Sequence, residues 1–388
     1  MVKIVNYQSG YETSAPWEPY IMAQRPVPLG PQDYSEAFEW DYDCMSSNSS
    51  LTHSLFRPIS VENVGPPSGA RMKDPVALEL RPEISPFHED YLAVGEVHKI
   101  RYALYGNPQG RPVFFLHGGP GCGCSDADAR WFDPEEYLII THDQRGSGKS
   151  LPRAEILDNT PHDLVEDIEK LRKHLDIQGP IDIFAGSWGT TVALLYAEAY
   201  PENVTRMILR GIYTAGYEDQ DYLYSADGGG LLSPSAWDKF VSSLPPGDDR
   251  IQERLHRLLE EADVEGKKEI CRIQSEYEFS FFDIPEDEYQ SALNDFEGSY
   301  PEMRINNHYQ AHRFFLEDGQ ILANVSKIQH IPVTIVHGTD DPICPPSFAT
   351  RLHERLPNSK LAMIEGAGHL SSNPGIKRAL LEALEEWE

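Results

Sequence analysis

The chain has 388 residues, 40% of them apolar and 10% aromatic, with a formal net charge of −29. That length leaves room for roughly two to three domains of about 150 residues, or for one longer α/β unit. So large an acidic excess argues against nucleic acid or an anionic membrane as partner, because a phosphate-binding surface needs clustered Lys and Arg.

The opening run Met1-Val-Lys-Ile-Val-Asn-Tyr lacks the apolar segment of a signal peptide. No later run approaches the ~18 apolar residues of a membrane span. The expectation is a cytoplasmic protein without a membrane partner. The five cysteines, Cys44, Cys122, Cys124, Cys271 and Cys344, are few and odd in number, so no disulfide framework is expected. In that compartment the Asn-x-Ser/Thr triplets at Asn48, Asn203 and Asn324 are coincidences of composition.

In chain order, residues 1–80 are rich in Pro, Ser, Tyr and acidic residues and show no helical or strand period. They read as a partly irregular N-terminal extension whose aromatic residues, among them Trp17, Tyr34 and Trp40, favour partial docking. From Glu89 the pattern changes. Tyr91-Leu-Ala-Val and Lys99 to Tyr105 alternate like antiparallel strands, and Pro112 to Leu116 and Tyr137 to Thr141 read as buried strands. Residues 162–175 place Leu164, Ile168, Leu171 and Leu175 on one helical face. Strand 181–185, helix 190–199 and strand 205–210 follow. Strands alternating with helices imply a mostly parallel sheet covered on both faces, with its ligand site at the carboxyl ends of the strands.

After Gly211 the alternation stops. Residues 215–325 are acidic, aromatic and helix-like, with Asp248–Glu261 and Val264–Phe279 as the clearer helices, and read as a cap inserted after the sixth strand. Strands 332–337 and 360–364 and a closing helix over 376–387 complete the sheet domain, which therefore spans 81–214 and 326–388. The fold class expected is α/β.

The chemistry centres on Gly186-Ser187-Trp188-Gly189, set between a strand and a helix. Gly-x-Ser-x-Gly in that setting is a nucleophile elbow, which exposes the serine hydroxyl at a helix N-terminus. A serine needs a base, and the base needs an orienting group. α/β hydrolases supply them in the order Ser, Asp or Glu, His, each at a strand end. Here strand 332–337 runs into Asp340-Asp341 and strand 360–364 into His369. The expected triad is Ser187, His369 and one of the two aspartates. For the oxyanion, the donors expected are the backbone N–H of Trp188 and that of Gly119, in the loop His117-Gly-Gly-Pro-Gly121.

Other patterns fail. Gly148-Lys149-Ser150 lacks the first glycine of a P-loop, since residue 143 is Asp. Cys122-Gly-Cys124 has neither zinc nor redox spacing. His308 and His312 are four apart, but Tyr309 stands where a zinc protease places its glutamate. Neither a metal nor an organic cofactor is expected.

Taken together, His117-Gly-Gly-Pro-Gly121, Phe132-Asp-Pro, Asp143-Gln-Arg-Gly-Ser-Gly-Lys-Ser150, Asp158-Asn-Thr160, Asp163 to Glu169, Gly186-Ser-Trp-Gly189 and Leu209-Arg-Gly-Ile212 resemble the proline iminopeptidase family of the α/β-hydrolase fold. The likeness runs from about 85 to 375, thins across the cap, and returns at Arg304-Ile-Asn-Asn-His-Tyr309, Asp341 and Gly368-His369. It implies Asp341 as the triad acid. It also implies cleavage of an N-terminal proline or small residue from short peptides, with cap carboxylates binding the substrate's α-ammonium.

Two departures bear on that last point. Asn306 stands where the family has a glutamate, and the family's tryptophan-rich run ending in Trp-Glu corresponds to Arg272-Ile-Gln-Ser-Glu276, leaving Glu276 as the remaining carboxylate. The substrate-binding residues expected are thus Glu276 and Asn306, with a weakened ammonium site. The substrate is a small peptide, or, in the competing reading, a non-peptide ester or amide handled by a refitted hydrolase or acyltransferase. A catalytically silent binding protein is the reading that Ser187, Asp341 and His369 argue against.

Overall fold

The computed structural model describes residues 79–387. Nearly all of the extension expected over residues 1–80 therefore lies outside the described residues. Eight strands form one sheet: β1 (His88–Ala93), β2 (Lys99–Gly106), β3 (Arg111–Leu116), β4 (Tyr137–His142), β5 (Ile181–Gly186), β6 (Val204–Arg210), β7 (Val333–Gly338) and β8 (Ser359–Ile364). Their order across the sheet is β1-β2-β4-β3-β5-β6-β7-β8. β2 pairs antiparallel with both neighbours, and every other pairing is parallel.

Two apolar layers hold the sheet, one on each face. On one face α1 (Pro161–His174), α2 (Trp188–Ala199) and α11 (Pro346–Arg355) pack on residues such as Phe114, Ile183 and Leu209. On the other, α12 (Pro374–Glu385) packs Ile376, Leu380 and Leu384 against Val113, Phe184 and Val336. β5 is buried at all six positions, as a central strand of a covered parallel sheet must be. The stripe read for α1 is the buried one, with Leu164, Ile168 and Leu171 inside; each such side chain contributes about 1.5–3 kcal/mol. Its start is set by Thr160, whose hydroxyl accepts from the Asp163 N–H while the Asp163 carboxylate accepts from the Thr160 N–H.

Between β6 and β7 the chain leaves the sheet for a helical cap. It comprises α3 (Tyr217–Tyr222), α4 (Gly229–Leu232), α5 (Pro234–Ser243), α6 (Ile251–Glu261), α7 (Val264–Phe279), α8 (Glu286–Asn294), α9 (Phe296–Ala311) and α10 (Gln320–Asn324). Leu255, Tyr277, Phe240 and Tyr224 form an apolar cluster of its own. α9 ties the cap to the sheet domain: Ile305 and Tyr309 join the main apolar layer, and the Tyr309 hydroxyl donates to Asn159 Oδ1 at 2.8 Å. α9 also contains Pro301, which cannot donate to the Glu297 carbonyl. Arg153 from the sheet domain supplies a donor to that carbonyl at 3.3 Å. Among the described residues no helix is long and apolar enough to cross a membrane.

Candidate active site

The carboxyl ends of β3, β5, β6, β7 and β8 meet beneath the cap. At the end of β5, Ser187 has φ 54° and ψ −127°, a conformation an L-residue adopts only under strain, at a cost of order 1–3 kcal/mol. What holds it there is close packing on both sides. A side chain at Gly189 would run into the Leu116 carbonyl, and the Ser187 N–H donates to the Arg210 carbonyl at 2.8 Å. The strain lifts the Ser187 side chain into a cavity of about 210 Å³ whose wall includes Gly118, Gly119, Trp188 and His369.

His369 and Asp341 come together as one unit. His369 Nδ1 lies 2.8 Å from Asp341 Oδ2, while Asp341 Oδ1 accepts the N–H groups of Ile343 and Cys344 at 2.9 and 2.8 Å. Burial works against the charged carboxylate, but the facing imidazole and these donors outweigh it and hold Asp341 below its ordinary range. The Asp340 carboxylate instead accepts from the neighbouring Thr339 hydroxyl at 2.9 Å. The nearby His337 Nε2 lies 3.6 Å from the same Asp341 Oδ2 but is committed elsewhere: its Nδ1 accepts the Ile212 N–H at 3.1 Å and its Nε2 donates to the Cys344 carbonyl at 2.7 Å. Burial lowers its pKa and keeps it neutral. On the other flank Arg210 donates to the His369 carbonyl at 2.8 Å.

A residue to which sequence reasoning assigned no role, Gln144, couples the Gly118–Gly119 loop to the elbow. Its N–H donates to His117 Nε2 at 3.0 Å, its amide nitrogen to the His117 carbonyl at 3.0 Å, and its amide oxygen accepts the Trp188 indole N–H at 2.9 Å. The backbone N–H groups of Gly119 and Trp188 thus sit on two segments fixed by one side chain. The signal for it was the Asp143-Gln-Arg-Gly run at the end of β4.

The cap wall corrects the reading of the carboxylates. Asn306 does line the cavity, with its Oδ1 accepting from Gln310 at 3.0 Å. Glu276 does not. It lines a separate depression with Ser235 and Tyr289, paired to Lys239 at 2.6 Å and to Arg272. Two residues along a helix turn a side chain to the far face, and the α7 glutamate that lines the cavity with Ser187 is Glu278.

A second carboxylate was missed altogether. Glu302, one turn before Asn306 on α9, lines the same cavity and accepts from the Cys122 thiol at 3.4 Å. The loop and this turn touch: a Cβ at Gly121, whose φ is +110°, would lie 2.7 Å from Glu302 Cα. Withdrawal from water, reinforced by the charge of Glu278, pushes Glu302 up to about 7. Glu278 is raised too, chiefly by burial, against donors from Tyr224 and from Gln274 at 2.9 Å. Apolar side chains including Leu223, Phe279, Phe282 and Phe314 complete the wall.

A nucleophile elbow, an Asp–His pair at the next strand ends and a cap over them define an α/β hydrolase. The family described as alpha/beta hydrolase fold matches residues 111–372. A probable proline iminopeptidase of Leptolyngbya boryana is 39% identical over 312 residues, covering 80% of this chain and 97% of its own. The proline iminopeptidase of Arabidopsis thaliana is 39% identical over 309 residues, covering 79% and 81%. Among solved structures, a bromoperoxidase from Bacillus anthracis superposes with a TM-score of 0.53 at 21% identity, over 77% of this chain and 99% of that one, a likeness of fold. The chain belongs to the proline iminopeptidase family of α/β hydrolases.

Proposed function

We propose that this protein is a serine aminopeptidase of the prolyl type, acting on small peptides with a free N-terminal proline or small residue. Ser187 Oγ attacks the carbonyl carbon of that first residue while His369 Nε2 takes its proton, and Asp341 holds the imidazole through Nδ1 and stabilises its charged form. The oxyanion rests on the N–H groups of Trp188 and Gly119. His369 then returns the proton to the departing amine, and water, activated by the same imidazole, releases the acyl group from Ser187.

The observation that carries the substrate reading is the pair of cap carboxylates, Glu278 and Glu302, in one cavity with Ser187. A cation drawn from water needs fixed negative charge. Carboxylates lining the cavity that holds the nucleophile would anchor a free α-ammonium and so select a chain terminus. The cavity of about 210 Å³ is smaller than the about 300–1,000 Å³ typical of drug-sized ligands, and its aromatic wall suits a compact apolar ring. The competing reading, a non-peptide ester or amide, drew on the neutral Asn306; a carboxylate one turn away removes that motive.

The test is a panel of proline and alanine arylamides, their N-acetyl derivatives and p-nitrophenyl esters. Acetylation removes the charge the carboxylates bind. It should lower kcat/KM by about 10²-fold, given ~1.5–3 kcal/mol per hydrogen bond to a charged group. Fast ester turnover without cleavage of any free-amine arylamide would sink the aminopeptidase reading.

A further inference from the structure

α9 has a second face. Glu302, Asn306 and Gln310 line the cavity, whereas His308 and His312 pack beside His256, which α6 presents. Ring centroids lie 5.6 Å apart for His256 and His308, 5.5 Å for His256 and His312, and 4.8 Å for His308 and His312. One ring nitrogen from each falls within 4.8 Å of the other two.

The hydrogen bonds leave lone pairs unused. His312 Nδ1 lies 2.7 Å from the His308 carbonyl, which makes it the donor and frees Nε2. His256 Nδ1 and His308 Nδ1 are both buried without a partner. A buried polar atom left unmatched costs about 1–3 kcal/mol, so two beside each other call for an occupant. Glu260 is not a competing ligand, being held at 2.6 and 2.7 Å by Arg304. Phe315 stacks on the His312 ring at 5.0 Å and limits its rotation.

We propose that His256, His308 and His312 bind one divalent transition-metal ion of the zinc type, with water in the outward-facing fourth position. Three imidazoles with no thiolate match the preferences of Zn²⁺, Ni²⁺ or Cu²⁺ rather than those of Mg²⁺ or Ca²⁺. At metal–nitrogen distances of about 2.0–2.1 Å the ligand atoms stand about 3.4 Å apart, so the cluster closes by modest side-chain rotation. Because the ligands come from two helices, the ion clamps α6 to α9, the helix that also carries Glu302. The four-residue spacing of His308 and His312 was not enough to read it, since the third ligand comes from a different helix.

The test uses the full chain, stripped with chelator and titrated with Zn²⁺. Its readouts are metal retained after dialysis and the shift in Tm. His312→Gln, at an exposed position, and His256→Gln are the variants. The expected result is one tightly held equivalent in the unaltered protein, with a Tm that rises on loading. Each variant should weaken that equivalent by at least about tenfold and abolish the rise. Failure of the unaltered protein to retain Zn²⁺ overturns the proposal, as does retention with the same affinity and Tm shift in properly folded His312→Gln. Neither readout depends on the aminopeptidase assignment.

Discussion

The carboxyl edge of the sheet and the helical cap meet across one cavity, yet they place their residues by different means. At the sheet edge each group is fixed within a residue or two of a strand end. Ser187 is held by a strained elbow, Asp341 by two backbone donors, and the loop at Gly119 by Gln144. In the cap, position follows from which side of a helix meets the cavity, so a shift of two residues, from Glu276 to Glu278, exchanges an outside ion pair for a wall carboxylate. The edge dictates what reaction is possible. The cap lines the other side of the cavity, with Glu302 and Asn306 one turn apart on α9.

The largest effect separates the two directly. Ser187→Ala removes the nucleophile and should lower kcat by at least about 10⁴-fold on every substrate, charged or neutral, as loss of a triad member does. A cap substitution should instead discriminate between substrates. An edge variant whose loss is confined to free-amine substrates would erase the division of labour.

Glu302→Gln comes next. It should lower kcat/KM on a proline arylamide by about 10–10²-fold and leave a p-nitrophenyl ester nearly untouched. Its pH signature is specific. With Glu302 at about 7, the carboxylate charges as pH rises through neutrality, so kcat/KM for a free amine climbs there. It falls again above about 8 as the substrate's α-amino group loses its proton. Glu302→Gln should remove the part of the rising limb that the amine has and the ester lacks. Superimposable amine and ester profiles in the unaltered protein would count against an ionising cap residue.

How much of this was legible in the sequence follows the same line. Strand ends are marked by short runs such as Gly186-Ser187-Trp188-Gly189, in which steric demand dictates residue type, so the edge residues were readable. α7 was found at its true bounds, Val264–Phe279, but its phase was not, because acidic residues at 269, 276 and 278 blur the apolar stripe that orients a helix. α9 had no reading of its own: Gly298 and Pro301 both disfavour a helix interior, and the compensating donor to Glu297 comes from Arg153, remote in sequence. Without that helix, Glu302 had no position relative to Asn306. α2 was read as starting at 190 and begins at Trp188, because a residue with positive φ directly before a helix leaves little periodic signal.

Moving the charge back along α9 tests that relation. Asn306→Glu alone adds a third carboxylate, one turn from Glu302, where like charges repel. It should push Glu302 further up and change kcat/KM at neutral pH by no more than about threefold. Combined with Glu302→Gln, the same substitution should bring arylamide cleavage back to within about fivefold of the unaltered protein, since the site regains its count of charges. A tenfold gain from Asn306→Glu alone would mean that Glu302 does not serve the amine.

The smallest effect is expected at Glu276, and it is the one most able to reverse the comparison. Its carboxylate is committed to Lys239 at 2.6 Å and to Arg272, with Lys239 largely exposed. Solvent-exposed ion pairs contribute at most about 1 kcal/mol, so Glu276→Gln should shift stability by less than that. Its partners Lys239 and Arg272 do not line the cavity holding Ser187, so kcat/KM on the proline arylamide should change less than about twofold. A selective loss of tenfold or more on free-amine substrates would put Glu276 in contact with the amine. The face of α7 turned to the nucleophile would then be the opposite one, and the wall formed by Glu278 and Glu302 would lose its role.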